Sequence, residues 1–465
     1  MTQSPVTRRS GLTLVEILIA MVMTLIILFA MMEAFKYASG EMQRSRAVIE
    51  MSSQLRAAQE LLRSDLEHVT LDPKPWTQTA LPKGYFEYVE SRYNDNTFPQ
   101  NAANPTDNYL GDIDDVLAFT VNRPEQPFRG RLNIQNLSQP DIVESSMAEI
   151  IWWTKWSTTD DKTGDGQVDD RDGNGLINFD ESVSLYRRVL LIRPDLNNSN
   201  GHLGIAYDQA AAQEFLTEND LSVRVMLADD GNTYWAANRL EDLGLRSSRV
   251  GRNRPNSTAQ NFPHVLDRNW INETRMGECF NAIWTYSGDD VVLTNIAGFD
   301  VKVYSPTAAI ESNAAAKLVI QPGDVNYPAA TVNNRGAFVD LNYALEDYNA
   351  TDQRWFATRA NPKSGLSTNI NTTYDTWTPV YENDGIDQDN ATDGLAPADG
   401  VDQGTNGIDD ANVPNSTPAV DETAERETMP PYGHPIRGLK VSFRLVEKNT
   451  KQVRQASVIH SFVPE

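Results

Sequence analysis

Cysteine is nearly absent from this chain. Cys279 is the only one in 465 residues, so no disulfide can form within the molecule. Basic residues are also in deficit, with 40 Lys and Arg against 64 Asp and Glu and a formal net charge of −24. A basic face for nucleic acid is therefore not expected. The sequence also lacks G-x-S-x-G, H-E-x-x-H and C-x-x-C motifs and a phosphate-binding glycine loop, so we expect no enzyme.

Proline is missing between Leu12 and Leu71, and Gly40 is the only glycine in that stretch. Apolar residues recur there every three or four positions, which is the pattern of one buried helix face: Val48, Met51, Leu55, Ala58, Leu62, Leu66 and Val69. The pattern predicts one helix from about residue 12 to 69, ended by Pro73. We take residues 12–72 as the N-terminal helical segment.

The first part of this helix is apolar enough to cross a membrane. Residues 12–32 carry one charge, Glu16, and at about 1.5 Å per residue they span roughly 31 Å, close to the thickness of a bilayer's hydrocarbon core. Arg8 and Arg9 precede the span, which predicts a cytoplasmic N-terminus and a remainder outside the inner membrane. A carboxylate within such a helix is costly and is usually paired.

The leader ending in Gly11, the apolar run and Glu16 together resemble the N-terminus of type IV pilins and type II secretion pseudopilins. The resemblance implies a leader of residues 1–11, cut between Gly11 and Leu12 by a prepilin peptidase, with methylation of the new N-terminus at Leu12. Glu16 matches the glutamate that helps recruit each subunit to the growing filament. The α-amino group of a neighbouring subunit's Leu12 would be its partner.

Residues 73–465 have the sequence pattern of a head built mainly from β-strands. Seven stretches are short, contain many β-branched or aromatic residues and are bounded by turn formers: 116–121, 149–155, 184–192, 299–304, 337–343, 439–446 and 452–462. The last two predict a hairpin around Lys448, Asn449 and Thr450. Stretches 194–275, 305–336 and 344–436 look like loops, with short helices expected at 209–216 and 239–243. Trp152 and Trp153 lie on opposite faces of one strand, which favours core packing.

The order of these elements resembles that of J-type minor pseudopilins and W-type minor pilins. It implies an α+β fold: a long N-terminal transmembrane and amphipathic helix packed on an enlarged antiparallel β-sheet head, with long loop insertions, as in the pilin lollipop. Residues 160–181 and 382–427 are the two acidic insertions. They carry net charges of −6 and −12 and so hold most of the chain's negative charge.

The first insertion contains a complete calcium-loop pattern. Residues 170–181 read DRDGNGLINFDE and fit D-x-[DN]-x-[DN]-G-x5-E. The frame predicts calcium ligands from Asp170, Asp172, Asn174, the Leu176 carbonyl, Asn178 and Glu181. Strand-like flanks predict a structural calcium site on a β-hairpin, in place of a helical sensor hand.

Two further acidic patterns are weaker. Residues 161–172 offer an overlapping frame with Asp161, Thr163, Asp165 and Asp169, but both frames require Asp172. In residues 382–427 the phrases DGID, DGVD and NGID recur at irregular spacing. That tract is interpreted either as calcium-binding turns or as a flexible acidic loop.

The sequence thus predicts a non-catalytic minor pilin or pseudopilin with structural calcium. Its partners would be the prepilin peptidase, other pilin-type subunits and the inner membrane, with the head in the periplasm or outside the cell in a filament. It would help initiate or cap a type II secretion pseudopilus or a type IV pilus. The alternative is a membrane-anchored surface adhesin or hydrolase that uses a pilin-type anchor.

Overall fold

The protein is an α+β molecule in which one long helix packs on antiparallel sheets. A computed structural model describes residues 13–71, 83–89, 113, 115–134, 141–156, 183–208, 215, 218–244, 248–249, 290–313, 318–320, 334–340, 373–376, 436–447 and 452–462. The leader boundary at Gly11 and Leu12 and both acidic insertions lie outside these residues.

Helix α1 spans Leu14–Leu66, 53 residues without a break. The absence of proline and the single glycine allow this length. The helix ends three residues before the predicted limit of Val69. There the backbone joins the sheet instead: Val69 forms a bridge with Val121, and the Thr70 N–H donates to the Thr120 carbonyl at 3.0 Å.

The first sheet has six antiparallel strands in the order β13-β1-β2-β5-β6-β9. Their bounds are β1 Phe86–Val89, β2 Val116–Asn122, β5 Met147–Trp156, β6 Val183–Leu191, β9 Asp290–Thr294 and β13 Thr373–Asp375. The strands predicted at 116–121, 149–155 and 184–192 are confirmed as β2, β5 and β6. The pattern missed β1, β9 and β13, which are only three to five residues long.

The second sheet has the order β11-β10-β14-β15, with β12 also paired to β10. Its strands are β10 Ile296–Asn313, β11 Leu318–Ile320, β12 Asn334–Val339, β14 Gly438–Glu447 and β15 Gln452–Ser461. The predicted C-terminal hairpin is confirmed, since β14 and β15 pair from Gly438 opposite Ser461 to Glu447 opposite Gln452. The strand predicted at 337–343 is displaced toward the N-terminus.

Part of the chain predicted as loop is strand. Two hairpins are appended to the sheets: β3 Phe128–Leu132 with β4 Asp141–Ser145, and β7 Val223–Leu227 with β8 Thr233–Ala237. The β7–β8 hairpin lies inside the predicted loop 194–275. The helix expected at 239–243 is a short 3-10 turn at Asp242–Gly244, and most of 209–216 lies outside the described residues.

Strand β10 is much longer than the predicted 299–304. It continues through Pro306 to Asn313 because β11 and β12 pair with its second half. The pairing with β12 shifts register between Ser305 and Ala309, and Pro306 lies inside that irregularity, where a missing N–H disturbs the ladder least. Long-range pairing therefore overrides weak local strand propensity.

The main core lies where the two sheets and the second half of α1 meet. The predicted helix stripe is confirmed, since Met51, Leu55, Ala58, Leu62 and Leu66 are all buried there. They pack mainly on β15 and β14. At about 25 cal/mol per Å² of apolar surface, burying a Leu or Met side chain contributes roughly 1.5–3 kcal/mol, so this stripe holds the helix on the head.

The tryptophans of β5 confirm the predicted alternation. Trp152 is buried in the main core, and Trp153 is buried on the opposite face of the first sheet in a second cluster with Tyr85, Ile151 and Leu243. The first sheet is therefore covered on both faces at this strand.

Asn295 connects the two sheets. It lies between β9 and β10 with φ +53°, a left-handed conformation that Asn tolerates better than most residues. Its carbonyl accepts the Val446 N–H of β14 at 3.1 Å. The chain thereby leaves the edge of the first sheet and enters the second within one residue.

Candidate assembly segment and calcium loop

The first turn of α1 is closed by a capping box. Thr13 is the N-cap, and its Oγ1 accepts the Glu16 N–H at 3.3 Å. In return Glu16 Oε2 accepts the Thr13 N–H at 2.9 Å and the Thr13 hydroxyl at 3.0 Å. Such reciprocal bonds satisfy donors that a helix start leaves open, and an acidic side chain suits the positive end of the helix dipole.

The capping box fixes where the Glu16 carboxylate lies. It is held against the backbone of Thr13, the second residue after the predicted cleavage point. Gly11 and Leu12 themselves lie outside the described residues, so the geometry of the predicted processing site is not described. Glu16 is exposed in the single chain, and its Oε2 is bonded to Thr13, toward the start of the helix.

The span that follows Glu16 is apolar on all sides and exposed. Large side chains from Leu14 to Met32 are 48–79% exposed, which leaves them without protein to cover them. Thr24, the polar exception, donates its hydroxyl to the Ala20 carbonyl at 2.7 Å. In the described part of the chain, α1 is the one helix long and apolar enough to cross a membrane. This agrees with a single-pass N-terminal anchor.

The other end of α1 is fixed to the head by a buried ion pair. Asp65 is fully buried on the apolar stripe and receives two hydrogen bonds from Arg187 of β6. The Trp152 indole N–H donates to the same carboxylate at 3.1 Å, and the Arg187 guanidinium lies 6.0 Å from the Trp152 ring centre. Three donors on one carboxylate compensate for much of its desolvation.

The sequence interpretation missed Asp65 and Arg187. The signal that would have found Asp65 was available: it lies three residues after Leu62 and directly before Leu66, on the face that periodicity assigns to the core. An acid on that face requires a buried cationic partner. Its identity as Arg187 follows only from the placement of β6.

Two further buried carboxylates join separate elements of the first sheet. Glu87 of β1 pairs with Arg249 at 3.0 Å, and the Arg249 guanidinium lies 4.1 Å from the Tyr85 ring centre. Glu149 of β5 accepts the Tyr85 hydroxyl at 2.7 Å and the Ser222 hydroxyl at 2.8 Å. These contacts join β1 and β5 to Ser222 and Arg249.

Comparisons with models of protein families, with characterised proteins and with solved structures found no match to this chain. Inference about its function therefore depends on the residues and geometry of the chain itself.

The acidic calcium-loop candidate joins two paired strands. Strands β5 and β6 are antiparallel neighbours, and their last described pair is Trp156 opposite Val183. Residues 157–182 therefore connect the two strands of a β-hairpin, as the strand-like flanks predicted. The excess of six negative charges in residues 160–181 is the electrostatic reason for expecting a cation there.

The predicted ligands themselves lie outside the described residues. They are Asp170, Asp172, Asn174, Leu176, Asn178 and Glu181 of the main frame and Asp161, Thr163, Asp165 and Asp169 of the weaker one. The 382–427 tract, which lies between β13 and β14, is outside them too. Within the residues that the structure does describe, no group of three or more His, Cys, Asp or Glu side chains is placed to hold a metal. Calcium binding stays a prediction.

Proposed function

We propose that this chain is a minor pilin or pseudopilin subunit that helps initiate or cap a type II secretion pseudopilus or a type IV pilus. The main supporting observation is that the two ends of α1 have different surroundings. Residues 14–32 are apolar and exposed, residues 51–66 are packed on an antiparallel head, and the lone charge of the apolar part, Glu16, is at the first turn. In this proposal the first part of the helix lies in the membrane or the filament, and the head is attached to its other end.

The position of Glu16 supports an assembly role. Placing a charge at the middle of a bilayer costs about 2.5–3.5 kcal/mol. A charge near the end of an apolar span costs less, but pairing with an opposite charge is still favourable. Cleavage after Gly11 would create an α-ammonium on Leu12, close to the Thr13 backbone that holds Glu16. The same group on a neighbouring subunit would give Glu16 an intermolecular partner as the filament grows.

The size of the head supports a minor role. Residues 73–465 make up most of the chain, and repeated heads of this length would crowd a helical array. A position at the tip, or in a short initiating complex, avoids that conflict. Calcium in the 170–181 loop would stabilise the head, and no catalytic step is assigned to the protein.

The test is the intact mass and N-terminal sequence of the full chain, extracted from membranes after co-expression with a prepilin peptidase. The expected product begins at methylated Leu12, and the same chain carrying Gly11→Val should stay uncut. An uncut wild-type chain, or a cut beyond Met32, would contradict the proposal. It would favour a surface adhesin or hydrolase that merely uses an apolar anchor.

A further inference from the structure

Between the apolar span and the buried part of α1 lies a stretch of the helix that is mostly exposed. We call residues 33–50 the neck. Three large apolar side chains project from it at intervals of seven residues: Phe35, Met42 and Ile49, which are 70%, 58% and 67% exposed. Seven residues advance a helix by about 10.5 Å and return to nearly the same side, so these side chains form one ridge.

The ridge faces away from the head. Met42 precedes the buried Met51 by nine residues, which is about two and a half helical turns, and Ile49 precedes the buried Ala58 by the same interval. The face that carries the ridge is thus opposite the face that packs on β14 and β15. The head leaves this side of the neck open.

The ridge has the register of a coiled-coil seam. If Phe35, Met42 and Ile49 are a positions, the d positions are Met31, Ala38 and Ser45, all uncharged. Every charge of the neck falls elsewhere in the heptad. The seam stops at the next a position, which is Arg56, and there the outward face of α1 becomes polar with the exposed Glu60–Arg63 pair.

The flanking charges are complementary for a parallel pair. Glu41 is a g position and Arg46 is the e position five residues later, the spacing at which two parallel helices exchange salt bridges across a seam. Within one chain Glu41 instead pairs with Arg44 at 3.0 Å, and both side chains are at least half exposed. An exposed i,i+3 pair is worth little, so this pairing does not oppose the exchange.

We infer that the neck pairs in parallel with the neck of a second copy of this chain. Its ridge side chains would interdigitate, and Glu41 of each copy would meet Arg46 of the other. A seam with three a positions forms only a weak coiled coil in solution, but two chains anchored in one membrane would meet at a high effective concentration and in the same orientation. The pairing needs the anchor; it needs neither cleavage at Gly11 nor a filament.

Site-directed cross-linking tests this pairing with the full chain in membranes of cells that have no other pilin-type protein and no prepilin peptidase. In a Cys279→Ser background, Met42→Cys and Ile49→Cys should give disulfide-linked dimers on mild oxidation. Tyr37→Cys is the matched control, since Tyr37 is 74% exposed on the same neck but lies off the seam. Its cross-linked fraction should be at least severalfold lower.

Charge reversal tests the register with the same readout. In the Met42→Cys chain, Glu41→Arg or Arg46→Glu alone places like charges opposite each other and should lower the dimer fraction severalfold. The two together should restore it. Equal cross-linking at Tyr37 and Met42, no dimer at all, or no recovery in the double reversal would overturn the inference. So would a dimer that appears only when other filament proteins are supplied, because the occupant would then be a different subunit.

Discussion

Asp65 and Arg187 join the helix to the first sheet through two parallel hydrogen bonds. Arg187 Nε donates to Asp65 Oδ2 at 2.7 Å, and Nη2 donates to Oδ1 at 2.8 Å. Neither side chain has appreciable contact with solvent. The pair lies at the head end of α1, so it ties this end of the helix to the first sheet.

Removal of this carboxylate should destabilise the protein strongly. Asp65→Ala leaves the buried Arg187 charge without its partner, and such a break costs about 3–5 kcal/mol of unfolding free energy. The measurement is denaturant unfolding of the full chain in detergent. Replacing both residues by leucine should recover much of the loss, because no charge is then buried alone.

The matched control for Asp65 is on the same helix. Glu60 pairs with Arg63 at 3.1 Å, but its side chain is 76% exposed. Glu60→Ala should change the unfolding free energy by about 0.5 kcal/mol or less. If Asp65→Ala were as mild as Glu60→Ala, the ion pair would not be what holds the end of the helix.

The Glu16 side chain combines a cap and a charge, and two substitutions separate them. Glu16→Gln keeps an acceptor for the Thr13 N–H, since glutamine also completes a capping box, but it removes the charge. Glu16→Ala removes both. If the charge recruits the subunit, both variants should be cleaved normally yet enter filaments severalfold less than wild type, as measured by immunoblot of sheared filaments.

The two variants also have an outcome that contradicts this assignment. Full incorporation of Glu16→Gln with poor incorporation of Glu16→Ala would mean that the cap, and not the charge, matters. Full incorporation of both would remove Glu16 from assembly altogether.

Calcium removal should lower the melting temperature of the full chain. At free calcium about ten times the dissociation constant, a single site contributes about 1.4 kcal/mol to the unfolding free energy. Chelation should abolish this, and Glu181→Ala should mimic chelation because it removes the bidentate ligand. Asp180→Ala is the control, because it removes an equal charge from the neighbouring residue, which the calcium-loop frame does not use for coordination.

A chelator-insensitive melt would rule out structural calcium. Equal effects of Asp180→Ala and Glu181→Ala would indicate that only the net negative charge of the loop matters.

His460 should make stability depend on pH. Burial lowers the pKa of this β15 histidine, and the nearby Glu67 offsets part of that effect. In the unfolded chain the group titrates near its ordinary pKa of about 6.5. As the pH falls below about 6.5, the unfolded state therefore takes up a proton that the folded state resists, and the unfolding free energy decreases.

The variant His460→Gln isolates this contribution. The difference in unfolding free energy between wild type and variant should be constant above about pH 7.5, then shift against the wild type as the pH falls toward about 5.5. The measurement is denaturant unfolding of both proteins at each pH. A difference that is the same at every pH would show that His460 does not contribute.

The long apolar N-terminal helix and the α+β class could be predicted because their signals are local. The run of residues 12–32 carries the length and polarity of a membrane span, and the stripe from Met51 to Leu66 carries a 3.6-residue period. The hairpin of β14 and β15 was also predictable, since adjacent alternating segments pair with few competitors. Strand β1, by contrast, is only four residues long. Its partner β13 is distant in sequence, since Glu87 pairs with Asp375.

What the sequence by itself determined is thus the helix, its apolar run of residues 14–32 with the lone Glu16, the acidic connection between β5 and β6, and the C-terminal hairpin. Each depends on residues close together in the chain. Only the tertiary structure decided that Arg187 is the partner of Asp65, that β10 extends past Pro306, and that Asn295 carries the chain from one sheet to the other. Those features depend on which distant segments meet, and desolvation and hydrogen-bond satisfaction fix that choice only when the whole core is assembled.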